Sequence, residues 1–112
     1  MITKFKIFEN NNTKDIEIDD YVLLNVTSLH IDYNDFINNN IGVVVSKNDY
    51  RDLIEVRYVV DPDDFIKYKK YFRYLSTDND YFSNMFFYSD VVEIGKTPDE
   101  VILKTNTKKF NL

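Results

Sequence analysis

The chain has 112 residues, no cysteine, one histidine, two glycines and two prolines, and fourteen basic against nineteen acidic side chains give a net charge of −5. The missing cysteine excludes disulfides, thiolate catalysis and cysteine-based zinc sites. The negative balance argues against generic binding of nucleic acid or anionic membrane, both of which need positive potential.

With 44% hydrophobic and 16% aromatic residues, the composition supports a folded core rather than disorder. The length fits a single domain over 1–112. The first residues are not followed by the apolar run of a signal peptide, and no stretch is long and apolar enough to span a bilayer. The expectation is a cytoplasmic, non-secreted protein, residing in the host cytoplasm if a phage encodes it.

In chain order, 2–8 predicts a first strand, with Phe5 and Ile7 on one face and Lys4 and Lys6 on the other. The asparagine-rich 9–14 is a loop. An extended run follows over 16–26, where Ile16 and Ile18 alternate with Glu17 and Asp19 before the continuous apolar Tyr21-Val22-Leu23-Leu24. Residues 32–38 predict a short helix capped by Asp32 and stopped by three asparagines. The β-branched 41–45 is a strand, in which Gly42 marks a bulge or a close backbone approach. After a turn at 46–50, 53–60 gives the cleanest alternation, with Ile54, Val56, Tyr58 and Val60 on one face. Together 41–45 and 53–60 predict an antiparallel hairpin.

Asp61-Pro62-Asp63-Asp64 reads as a helix start with Asp61 as cap and Pro62 at the first position. That helix is expected over 62–72, then a polar loop over 76–83 and a strand over 85–88. Residues 90–94 predict a strand or short turn. Thr97-Pro98-Asp99-Glu100 is a capping box that opens a C-terminal helix and tail near 98–112, where Phe110 and Leu112 tuck against the body. The fold class is mainly β, a β-rich α+β chain. It takes the form of a small SH3-like barrel or a strongly bent antiparallel sheet with two short helices.

Motifs for chemistry are scarce. His30 stands alone, so a Ser/His/Asp triad lacks its context. Asp78-Asn79-Asp80 fails the calcium-loop pattern, which needs glycine at the sixth position and glutamate at the twelfth. Asp19-Asp20 and the Asp61, Asp63, Asp64 group are explained by turns and capping. Gly42 and Gly95 are isolated, which rules out phosphate-binding glycine loops. No catalytic residue, metal or cofactor is assigned. The most distinctive segment is 66–74, where Lys67, Lys69, Lys70 and Arg73 interleave with aromatics. It reads either as an amphipathic helix with Phe65, Tyr68 and Phe72 inward or as a contact for nucleic acid or an acidic partner.

Several short pieces carry a resemblance. They include Phe5-Lys6-Ile7-Phe8-Glu9, Asp20-Tyr21-Val22-Leu23-Leu24-Asn25, Val56-Arg57-Tyr58, Ser89-Asp90-Val91-Val92 and Lys108-Lys109-Phe110-Asn111-Leu112. In these the chain resembles uncharacterised small proteins of tailed bacteriophages and prophages. In that family a Gly-Asp pair precedes the Tyr-Val, and Asp19 stands here at the glycine. The order of the segments is also similar to SH3-like barrels of the KOW or Tudor kind, which bind nucleic acid, peptides or protein surfaces.

No activity carries over from that family; small size, acidity, the absent catalytic chemistry and the resemblance together lead to the expectation of a non-catalytic binding module of phage type that engages a host protein, with inhibition of a host defence as a candidate role. Its expected contact residues are Asp61, Asp63, Asp64, Asp78, Asp80, Tyr81 and Phe82. The alternatives are a virion structural or assembly protein, or a single-stranded nucleic-acid binder using Lys67, Lys69, Lys70 and Arg73. The oligomeric state stays open.

Overall fold

The computed structural model describes residues 16–110. The strand expected at 2–8 and the end of the tail lie outside them. The elements are β1 (Tyr21–Leu24), α1 (Ile31–Asn39), β2 (Ile41–Asn48), β3 (Leu53–Val59), α2 (Pro62–Tyr68), β4 (Tyr74–Leu75), β5 (Tyr81–Phe87), β6 (Val91–Gly95) and α3 (Pro98–Phe110). Short 3-10 turns, Lys69–Tyr71 and Tyr88–Asp90, follow α2 and β5.

Among the described residues six strands form one antiparallel sheet in the order β4-β5-β3-β2-β1-β6. Of the two architectures expected, the structure has the antiparallel sheet with short helices, and β4 and β6 stand at its two ends. One row crosses all six strands: Tyr74, Ser83, Arg57, Val43, Tyr21 and Gly95 are successive partners. That row lies on the outer face. The inner face buries Val22, Leu24, Val44, Ile54, Val56, Tyr58, Phe82 and Phe86.

The predicted hairpin forms, because period-two alternation in β3 puts Ile54, Val56 and Tyr58 on the inner face. Its first strand runs further than expected, while β3 ends at Val59, one residue short of the expected 60. β2 continues to Asn48, and Asp52, with φ at 54°, completes the turn. Gly42 is a close approach: an added Cβ would collide with Val56 and Tyr58 of β3. The bulge lies elsewhere, between Val44 and Ser46.

The core is aromatic. Phe72 and Phe82 stack at 3.9 Å, and Phe36 meets Tyr58, Tyr68, Phe72 and Phe82. A fully buried ring of this size contributes roughly 1.5–3 kcal/mol by area removed from water. The helix expected over 62–72 ends at Tyr68 and tightens into a 3-10 turn. It still delivers Phe65 and Phe72 inward, at 3% and 7% exposure.

The extended run expected from 16 is corrected. Residues 17–19 form a turn, in which the Asp20 N–H donates to the Glu17 carbonyl at 3.1 Å and Asp19 takes φ of 78°. Only the continuous apolar part becomes β1. In α1, Asp32 sits inside the first turn instead of capping, and His30 holds the cap position without a side-chain bond. The three asparagines do end that helix. Asn39 and Asn40 donate from Nδ2 to the carbonyls of Asp35 and Phe36, and the latter is among those the helix terminus would leave unpaired.

Helix α3 opens as the capping box predicts at its first position, where the Glu100 N–H donates to Thr97 Oγ1 at 3.1 Å. The Glu100 carboxylate turns forward to Lys104 instead, at 3.3 Å. Val101, fully buried, packs against Gly95 of β6, where a Cβ would come within 3.0 Å of it.

Candidate functional site

The register of β3 against β5 decides the geometry. Val59 faces Tyr81, and one residue further the Val60 N–H donates to the Asp80 carbonyl at 2.9 Å. This brings the acidic start of α2 and the acidic turn before β5 to the same end of the sheet. Asp61, Asp63, Asp78 and Asp80 are exposed there, and Asp64 is half-buried.

Each carboxylate is placed by local chemistry. Asp61 caps α2 by accepting from the Asp64 N–H at 2.8 Å. Asp63 and Asp64 occupy the first turn, where the helix dipole favours negative charge. The turn over 76–80 is held by the buried Ser76. Its Oγ accepts from the N–H groups of Asp80 and Tyr81, both at 3.0 Å, and its own N–H donates to the Tyr81 carbonyl. Asn79 supplies the left-handed residue with φ of 60°.

Strand β5 therefore begins at Tyr81 rather than near 85, and this overturns one expected contact. Phe82 is fully buried at the centre of the core and is unavailable to a partner. Tyr81 points to the outer face and is half-buried beneath Arg57, whose guanidinium carbon lies 4.1 Å from the ring centroid. Next to this pair Val59 is 77% exposed, an apolar residue at the acidic end. Arg57 Nε is buried without a hydrogen-bond partner. The neighbouring Glu55 instead accepts from Ser46 and Ser83.

The basic segment lies elsewhere, on α2 and the turn after it. Lys67, Lys69, Lys70 and Arg73 are all exposed. Lys67, Lys70 and Arg73 each lie over the following tyrosine, at 5.2, 5.2 and 5.7 Å. The Lys67 ammonium is held above its ordinary pKa first by its hydrogen bond to Tyr68, then by the Tyr68 charge and the Asp32 and Asp64 carboxylates.

His30 is exposed, with its ring 5.3 Å from Tyr71. Among the described residues no three His, Asp or Glu side chains come together as metal ligands would. The Asp19-Asp20 pair separates. Asp19 is exposed in the turn, whereas Asp20 is 2% exposed and held by Lys96 at 2.7 Å and by the Glu17 N–H at 2.9 Å. No helix of the described residues is long and apolar enough to cross a membrane.

Sequence reasoning missed three features: the Asp20–Lys96 pair, the Arg57–Tyr81 stack, and the exposed Leu29 and Ile31 at the start of α1. The first two join residues far apart in sequence and left no local signal. The third was visible as two aliphatic residues flanking His30 in an otherwise polar stretch. No protein-family model matches the chain, and no similar curated protein or solved structure is found.

Proposed function

We propose that this chain is a binding module without catalysis, whose partner is a protein docked at the acidic end of the sheet. One observation supports the reading. The β3–β5 register gathers Asp61, Asp63, Asp64, Asp78 and Asp80 around the exposed Val59 and the half-buried Tyr81. An apolar and aromatic centre with a charged rim is the usual anatomy of a protein-binding surface. The carboxylates would steer a basic partner and set its orientation more than its affinity. On the phage resemblance, that partner is a host protein, and inhibition of a host defence is the corresponding role.

Affinity capture from host lysate tests this. The reading expects the same protein to be retained with and without nuclease treatment. An eluate without protein, or one lost on nuclease treatment, contradicts it.

Self-assembly is a second reading with its own support. β4 covers only Phe82 and Ser83 of β5, so among the described residues 85–87 has no strand on that side, and Phe87 is 59% exposed. Open apolar edges template pairing with another chain. Light scattering decides, since a monomer at all concentrations argues against assembly and a closed oligomer argues for it.

A further inference from the structure

We propose that a second surface, built from the loop before α1 and the turn after α2, docks an acidic protein segment anchored by apolar side chains. It is independent of the acidic end of the sheet.

Leu29 is 97% exposed and Ile31 is 72% exposed. They are held in a fixed loop. The Ser28 hydroxyl donates to Asn34 Oδ1 at 2.8 Å and accepts from the His30 N–H at 3.1 Å. Asn34 Nδ2 donates to the Ser28 carbonyl at 3.0 Å, and the Asn34 N–H donates to the His30 carbonyl at 3.0 Å. At the base of the loop Asn38 clasps Val26, accepting from its N–H at 2.7 Å and donating to its carbonyl at 3.1 Å. Apolar side chains carried on a loop ordered beforehand lose little conformational freedom on docking.

The His30 and Tyr71 rings, 5.3 Å apart, bring this loop against the turn after α2. Lys69, Lys70 and Arg73 are exposed there, and none of them is in an ion pair among the described residues. The surface thus joins two exposed aliphatics to three unpaired cations on a chain of net charge −5. That combination complements carboxylates set around apolar anchors.

Single-stranded nucleic acid fits less well, because it needs free ring faces for stacking. Phe72 is buried. Tyr68 packs on Phe36 at 4.7 Å, and Tyr71 lies between His30 and Tyr33. Tyr74 alone is exposed, and Arg73 already lies over it.

The test is an amide NMR titration of the full chain with three probes. They are a short peptide alternating Glu and Asp with Leu and Phe, its Gln and Asn counterpart, and an oligothymidylate. The expected result is that the acidic peptide shifts the amides of 28–31 and 69–73. Its amide counterpart binds weakly, and the oligothymidylate leaves those amides unmoved. Leu29→Ser and Lys70→Glu, both at exposed positions, should each weaken the peptide about tenfold, the effect of one anchor in a small interface. Unchanged spectra elsewhere would show that both variants fold. The proposal is overturned if the acidic peptide does not bind, if its shifts fall elsewhere, if neither substitution weakens it, or if the oligothymidylate binds those amides more tightly.

Discussion

The Lys96 ammonium lies 2.7 Å from Oδ1 of Asp20, a carboxylate that is almost wholly buried. Asp20 immediately precedes β1, and Lys96 follows β6 and precedes α3, so the contact fastens the far edge of the sheet. The Glu17 N–H satisfies the second oxygen of Asp20, closing the turn before β1. Removing the carboxylate loses both bonds in a water-poor site. Asp20→Ala should destabilise the fold by about 2 kcal/mol. Lys96→Met should lower the denaturant midpoint more than Lys104→Met, whose partner Glu100 is 41% exposed. Urea unfolding monitored by circular dichroism checks the ranking, and equal effects from the two lysines would contradict it.

Asp19 carries a φ of 78°, a region where glycine is at ease and other residues are strained. Asp19→Gly should stabilise by roughly 0.5–1 kcal/mol, and Asp19→Val should destabilise by more than that. The same unfolding curves measure both, and a loss of stability in the glycine variant would oppose the argument.

Tyr58 packs its ring on Phe36 and Phe72 and buries its hydroxyl without a hydrogen-bond partner among the described residues. An unsatisfied buried hydroxyl costs about 1–3 kcal/mol. Tyr58→Phe should therefore raise stability by about 1 kcal/mol, read as a higher melting temperature. A clear loss would mean that the hydroxyl has a partner in solution.

Alkaline pH should unfold the chain. Burial pushes the Tyr88 phenol up to about 12, reinforced by its bond to the Asp49 carboxylate. Burial also raises Tyr33 and, more strongly, Tyr58. Lys96 is raised as well, chiefly by its bond to Asp20. An unfolded tyrosine loses its proton near about 10. Above that pH the native state binds more protons than the unfolded one, so stability falls as pH rises. Of the nine tyrosines, Tyr58 and Tyr88 should ionise only in a cooperative step that coincides with loss of circular dichroism. A smooth phenolate titration of all nine before unfolding would contradict this.

The hairpin was legible because β3 alternates without interruption, so period and burial agree. Both helix starts were legible because Asp61-Pro62 and Thr97-Pro98 carry their capping chemistry locally. The start of β5 was not legible. Tyr81 and Phe82 follow five polar residues, and only pairing with β3 shows that Phe82 enters the core. The alternation of Ile16 and Ile18 imitated a strand, but the left-handed Asp19 and the buried Asp20 make it a turn. For the candidate site, the two acidic stretches could be seen separately. Their meeting depended on a strand register that no local pattern encodes, and the same is true of the Arg57–Tyr81 stack.

The central claim is that a protein partner docks at the acidic end of the sheet. The most direct measurement compares lysate capture by three chains. They are the unaltered protein, a variant with Asp61, Asp63, Asp78 and Asp80 all changed to Asn, and a variant with Lys69, Lys70 and Arg73 changed to Gln. Asparagine at 61 keeps the cap of α2 while removing its charge, so the fold survives the neutralisation. The account predicts that the asparagine variant loses the protein retained by the unaltered chain while the glutamine variant keeps it. Retention by the asparagine variant at the unaltered level would contradict the claim.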